Sequence, residues 1–250
     1  MIVCDLGDRW QIVMQTDHAD LSGDFARRWT ERTPRSGSLE IAAERHDDGW
    51  AVWEQAPMCD VQSSKPLNFL DVGVPAHLAF YRAGIAAIGE QDPYAGLLVS
   101  MHGAGIYRGR YGLQPELRLT FAGEVRELVD AFVTEQESTF GAREREVGVT
   151  EQERMADYEL LQLYDRLSLL FCMNDTLSPP PTDLMGYRIE PDGNGGVAMS
   201  PFPFEGAEQR FSLVRRVLRH GDWSDGDAFR RDLFATTPEE TSITIRAAGG

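Results

Sequence analysis

Lysine is nearly absent: Lys65 is the sole one in a chain of 250 residues. Arginine supplies the rest of the positive charge, and 24 basic against 40 acidic side chains give a formal net charge of -16 at pH 7. Such a surface repels polyanions, so neither a nucleic-acid backbone nor a membrane is expected as partner. Cysteine is scarce too. Cys4, Cys59 and Cys172 are odd in number, scattered, and without a CxxC pair. That excludes a disulfide framework or a zinc ribbon and leaves reduced thiols. No apolar run approaches the ~20 residues of a membrane span. Met1 to Asp8 carry neither the basic segment nor the apolar core of a signal peptide. A cytoplasmic location is the expectation. Internal repeats and low-complexity tracts are missing as well. A content of 42% hydrophobic and 26% charged residues describes a globular protein long enough to bury a full core.

What is present reads mostly as helix. Ile2 to Cys4 and Trp10 to Met14 are β-rich runs around Leu6-Gly7-Asp8-Arg9, a hairpin pattern. Thr16 suits the N-cap of a helix from Asp17 to about Thr30. On it His18, Leu21, Phe25 and Trp29 recur at spacings of three and four, which puts His18 on the core-facing stripe. The next helix carries Leu39, Ala42 and His46 on one face, then breaks at His46-Asp47-Asp48-Gly49-Trp50. The irregular stretch from Gln55 to Pro75 is long for an idle connection and predicts a lid or site loop. Helices are expected over Ala76 to about Ile88 and Pro93 to Met101. The second is apolar all round, hence buried, and delivers His102 into Gly103-Ala104-Gly105. Leu117, Phe121, Val125, Leu128 and Phe132 mark a surface helix reaching about Arg145. From Thr150 to Met173, Tyr158, Leu161, Asp165, Ser168 and Cys172 form one stripe, so Asp165 sits in apolar company and needs a partner or a metal.

Beyond Pro179-Pro180-Pro181 the pattern turns to β. Gly186 to Glu190 and Val197 to Ser200 flank a Pro-Asp-Gly-Asn-Gly-Gly turn. A strand over Phe211 to Arg219, a helix from Asp225 to about Ala235 and a strand over Thr241 to Arg246 complete the chain. The expected architecture is mainly α, α+β overall. It is one domain over 1–250, with a helical bundle over 15–175 and a small antiparallel β-sheet from 1–14 and 183–250 appended to it.

The adjacent His46-Asp47 pair offers a ring nitrogen and a carboxylate oxygen at one point, the mixed donors that a divalent ion takes. Each histidine alone reads as a hydrogen-bonded core residue. A histidine in the first helix, a His-Asp pair ending the second and an aspartate in a late helix is an order that resembles the HD-domain superfamily of metal-dependent phosphohydrolases. More closely, Gln15-Thr16-Asp17-His18-Ala19, His46-Asp47-Asp48-Gly49-Trp50 and Leu98-Val99-Ser100-Met101-His102 resemble an uncharacterised bacterial and archaeal family of unknown function. The superfamily resemblance implies an HD-domain-like helical core. It implies a divalent metal ion (manganese, nickel, cobalt, zinc or iron) held by His18, His46, Asp47 and Asp165, with His77 and His102 as candidates for a second ion.

The implied activity is hydrolysis of a phosphoric ester, the substrate being a small anionic phosphate ester or nucleotide. Asp47 and Asp48 are the candidate catalytic carboxylates; Arg45, Lys65, Arg108 and Arg110 are the candidate anion contacts. Asp48 reads more readily as a helix-end or loop-capping carboxylate, and Arg108 and Arg110 as solvated loop charges. Two other readings stand beside this one: a di-iron oxygenase-type enzyme, which requires both His77 and His102, and a catalytically silent binding protein. Exposed edges of the sheet allow a homodimer.

Overall fold

In the computed structural model, which describes residues 1–249, the chain opens with a hairpin of β1 (Ile2–Asp5) and β2 (Arg9–Val13). Helices α1 (Gln15–Arg28) and α2 (Ser36–Arg45) follow. The first begins two residues before the start that a Thr16 cap suggests, because Glu54, from a 3-10 segment at Asp48–Gln55, accepts from the Gln15 amide at 2.6 Å. A ribbon of β3 (Cys59–Asp60) and β4 (Lys65–Pro66) then leads to α3 (Val74–Gln91).

The all-apolar segment is α4 (Pro93–Gly105), buried along nearly its whole length and capped by the Asp92 carboxylate at the Tyr94 and Ala95 amides. It runs past its expected end, so His102 stands in its last turn. Tyr158 packs so closely on the end of this helix that a Cβ at Gly105 would lie 2.1 Å from its hydroxyl, which leaves room for glycine alone. Next come α5 (Gly123–Val147), closed by left-handed Gly148, and α6 (Glu151–Cys172), opened by a capping box of Thr150 and Glu153. The last third supplies β5 (Thr182–Leu184), β6 (Tyr187–Pro191), β7 (Val197–Ser200), β8 (Glu208–Arg219), α7 (Gly226–Ala235) and β9 (Glu239–Ala247).

The expected fold class is overturned here. Among the described residues the large sheet has seven strands in the order β1-β2-β8-β9-β7-β6-β5. It is mixed, since β7 and β9 run parallel, with Val197 beside Ile245. This large, curled sheet is neither small nor purely antiparallel, and an HD-like all-helical core is not what the chain forms. The reason is visible in the packing. Phe25 of α1 stacks edge-on against Phe211 of β8 at 4.7 Å, and Trp29 against Phe204 at 5.2 Å. Phe211, Leu213, Ile243 and Ile245 share one core with α1, α4 and α6. Strand β2 is buried on both faces because α7 closes a second cluster over it, with Trp10, Ile12, Trp223 and Phe229. Among the described residues, no helix is long and apolar enough to cross a membrane.

Candidate metal centre

The inward stripes of α1 and α6 meet the end of α2, and five side chains converge there: His18, His46, Asp47, His102 and Asp165, all buried. His46 caps α2 in helical geometry, but Asp47 leaves the helix at φ -110° and ψ 15°. That turn lets two adjacent residues, which on a regular helix diverge by ~100°, address one point. His18 Nε2 lies 3.2 Å from His46 Nε2. Asp165 Oδ1 is 3.4 Å from the first and 3.6 Å from the second, and Asp47 Oδ2 is 3.7 Å from each. Donors bound to one ion at ~2.0–2.2 Å stand roughly 3.0–3.5 Å apart; His18, His46 and Asp165 come close to that spacing and form one candidate ligand group. A second group, His46, Asp47 and His102, is nearly as tight, its donor atoms lying within 4.8 Å of one another.

The surrounding hydrogen bonds fix what faces the centre. His46 Nδ1 donates to the Ala43 carbonyl at 2.9 Å. The Ser168 hydroxyl lies 2.8 Å from the Asp165 carbonyl, 2.8 Å from the Ser22 hydroxyl and 2.6 Å from His18 Nδ1; with its proton on the carbonyl it accepts from that ring nitrogen. Both Nε2 atoms therefore turn lone pairs toward each other, an arrangement that only a proton or a cation between them makes favourable. Each carboxylate is divided. Asp47 Oδ1 accepts from Tyr81 at 3.1 Å and Asp165 Oδ2 from Arg110 at 2.9 Å, leaving Oδ2 and Oδ1 respectively for the centre. Gln162 donates to His102 Nδ1, whose Nε2 reaches the Tyr81 oxygen, both at 3.2 Å.

Charge follows geometry. Burial alone would depress the His46 pKa, but Asp47 and then Asp165 outweigh it and lift the value to about 9. Burial likewise opposes ionisation of Asp165, yet Arg110 and the imidazoles hold its pKa well below the usual carboxylate range. His102 is pushed well below the ordinary histidine value, burial prevailing over Asp165, and stays neutral. Arg110 reaches Asp165 only because Gly109, Arg110 and Tyr111 all adopt left-handed conformations, at φ 56°, 50° and 54°. For two non-glycine residues that is strain, held here by bonds from Arg110 to Gln114, Gln162 and Asp165.

The other residues singled out from sequence lie apart from the centre. His77 borders the adjoining cavity, where its Nδ1 meets the Tyr107 hydroxyl at 2.8 Å; burial takes its pKa down to about 4. Asp48 pairs with Arg45 at 2.6 Å, and Arg45 also bonds Gln91. Arg108 pairs with Glu137 at 3.1 Å, and Lys65 is an exposed residue of the β3–β4 ribbon. Of the four proposed anion contacts, Arg110 is the one bordering the cavity.

That cavity, about 620 Å³, has the centre as its polar floor and apolar side chains as its walls. Three further residues border it. Arg166 is half-buried and, among the described residues, makes no hydrogen bond or ion pair; burial, then the nearby Arg110 charge, lowers its pKa. Helical angle sends it away from the Asp165 stripe, which hides it from pattern analysis. Gln15 and Trp50 each leave a buried polar atom, Oε1 and Nε1, without a partner. A model of the family described as "Protein of unknown function (DUF3891)" matches residues 1–220. No curated protein and no solved structure matches the chain.

Proposed function

The chain belongs to DUF3891, a family of proteins of unknown function, and from its own buried cluster we propose that it is a metal-dependent hydrolase of small phosphate esters. One observation carries the reading: two Nε2 atoms 3.2 Å apart, each with its Nδ1 committed elsewhere, beside two half-used carboxylates. His18, His46, Asp47 and Asp165 would hold a divalent ion such as manganese, nickel, cobalt or zinc. When bound, such an ion lowers the pKa of a coordinated water and stabilises charge on phosphoryl oxygen. Arg110 and Tyr81 keep the two carboxylates aimed, each by occupying the oxygen turned away from the centre. Asp48 is engaged by Arg45 and receives no proton-transfer role here.

The test is turnover of phosphate monoesters by protein reconstituted with each of these metals. Wild type should be active with at least one. Asp47→Ala should remain folded while losing both metal and activity. Loaded, folded wild type that cleaves no phosphate ester would defeat the reading, and a variant that keeps its activity would displace the site. The paired-iron reading needs His77 as well as His102, and His77 instead meets the Tyr107 hydroxyl beside the cavity.

A further inference from the structure

Resting on the phosphate-ester reading, we infer that the organic part of the substrate is a hydrocarbon, aliphatic or aromatic, and that Arg166 binds its phosphate. Past the polar floor the cavity wall is made by Phe69, Val72, Ile106 and Phe121, with Leu70 and Leu119 at its mouth. Leu70 is 69% and Leu119 47% exposed, side chains whose exposure an apolar ligand would relieve. A sugar or a nucleotide ribose needs several convergent donors and acceptors, and that wall offers few. Of the polar side chains beyond the floor, Gln114 accepts from Arg110, Asn174 donates to the Leu170 carbonyl and Thr182 donates to the Pro180 carbonyl.

The anion is met elsewhere. Arg110 is committed to Asp165 and Gln162, whereas its neighbour across Asp165, Arg166, borders the same cavity with its guanidinium unpaired among the described residues. Asp165 and Glu116 act on this guanidinium only at longer range; none of its donors is taken by a carboxylate among the described residues, and a phosphate would satisfy its fork. The floor and Arg166 together therefore define an anionic head, and the wall a hydrocarbon tail.

Binding tests this without turnover. The probes are methylphosphonate, hexylphosphonate and 2,3-dihydroxypropylphosphonate, none hydrolysable, titrated calorimetrically into metal-loaded protein. Hexylphosphonate should bind at least tenfold tighter than methylphosphonate, within the roughly seventyfold that removing ~100 Å² of hydrocarbon from water allows. The dihydroxypropyl probe should gain less than threefold. Arg166→Gln should weaken all three at least fivefold while metal content, melting temperature and the hexyl preference stay put; Arg166→Lys serves if glutamine lowers the melting temperature. A hexyl preference under tenfold, or an equal gain from the hydroxylated probe, overturns the hydrocarbon assignment, and unchanged affinity in both variants overturns the role of Arg166. If hexylphosphonate binds as expected but no ester is cleaved, the hydrolase reading falls alone.

Discussion

Replacing Gly49 with alanine strikes the contact that holds the turn of the candidate metal centre against α3. A Cβ added at Gly49 would lie 2.0 Å from the Phe80 carbonyl oxygen and 2.7 Å from its carbon. That is about 1.5 Å inside an ordinary carbon contact, and the obstacle is backbone, which no side-chain rotation relieves. Gly84 faces the same seam, where its own Cβ would meet the Gly49 nitrogen at 3.2 Å. Overpacking usually costs ~1–3 kcal/mol, and a backbone clash belongs at or above the top of that range. Gly49→Ala is therefore expected to lower stability by about 3 kcal/mol, or the melting temperature by roughly 6–12 °C for a chain of this size. The shift should also reach the centre, because α3 carries Tyr81, the donor to Asp47 at 3.1 Å. Metal affinity should fall alongside stability. Gly37→Ala is the control: it lies in α2 with nothing near its Cβ, so alanine should leave stability unchanged or raise it by up to about 1 kcal/mol. Thermal unfolding followed by circular dichroism, with metal uptake measured in parallel, decides. Melting of Gly49→Ala at the wild-type temperature would refute the packing described for this seam.

Three further outcomes follow from the same geometry. Asp17 has its pKa raised to about 6, first by burial and then by Glu54 and Asp20; the folded chain holds a proton that the unfolded chain releases near pH 4, so this group costs stability as pH rises from about 4 to 6. Asp17→Asn should gain about 1–2 kcal/mol at pH 7, allowing for partial exposure, and nothing below pH 4; chemical denaturation at both pH values would show a constant gain if the linkage is wrong. Arg110→Met strands the Asp165 carboxylate and should cost about 3–5 kcal/mol without metal, with part of the loss restored by a divalent ion; melting with and without added metal checks it. Tyr81→Phe removes the donor to Asp47 and the acceptor for His102 and should weaken metal binding roughly tenfold or more with the fold kept, as a competition titration with a chelator would reveal.

Much of the local structure was legible. Spacing of three and four placed His18 and Asp165 on inward stripes, and in the fold those stripes face each other across His46. The all-apolar run around Leu97 and Leu98 marked the central helix, and the hairpin turns at either end were readable from glycine and proline. What pattern could not supply was long-range. Nothing in Val197 to Ser200 or Thr241 to Arg246 says that these two segments pair in parallel, or that β2 and β8 join them into one seven-stranded sheet. A resemblance in the order of metal-binding residues therefore suggested a helical core that the chain does not adopt. The left-handed run at Gly109 to Tyr111 was equally hidden, since arginine and tyrosine give no hint of positive φ, and with it the inward turn of Arg110 while Arg108 faces out to Glu137. Arg166 was hidden because helical periodicity fixes an angle, while the cavity's position depends on elements far along the chain.

Elemental analysis of the purified chain after loading and desalting, wild type beside His46→Ala and Asp165→Ala, tests the central claim most directly. The account predicts at least one equivalent of a divalent transition metal per wild-type chain and none in either variant, with all three proteins folded by circular dichroism. A folded wild type that retains no metal at pH 8, or variants that retain as much as wild type, would contradict it.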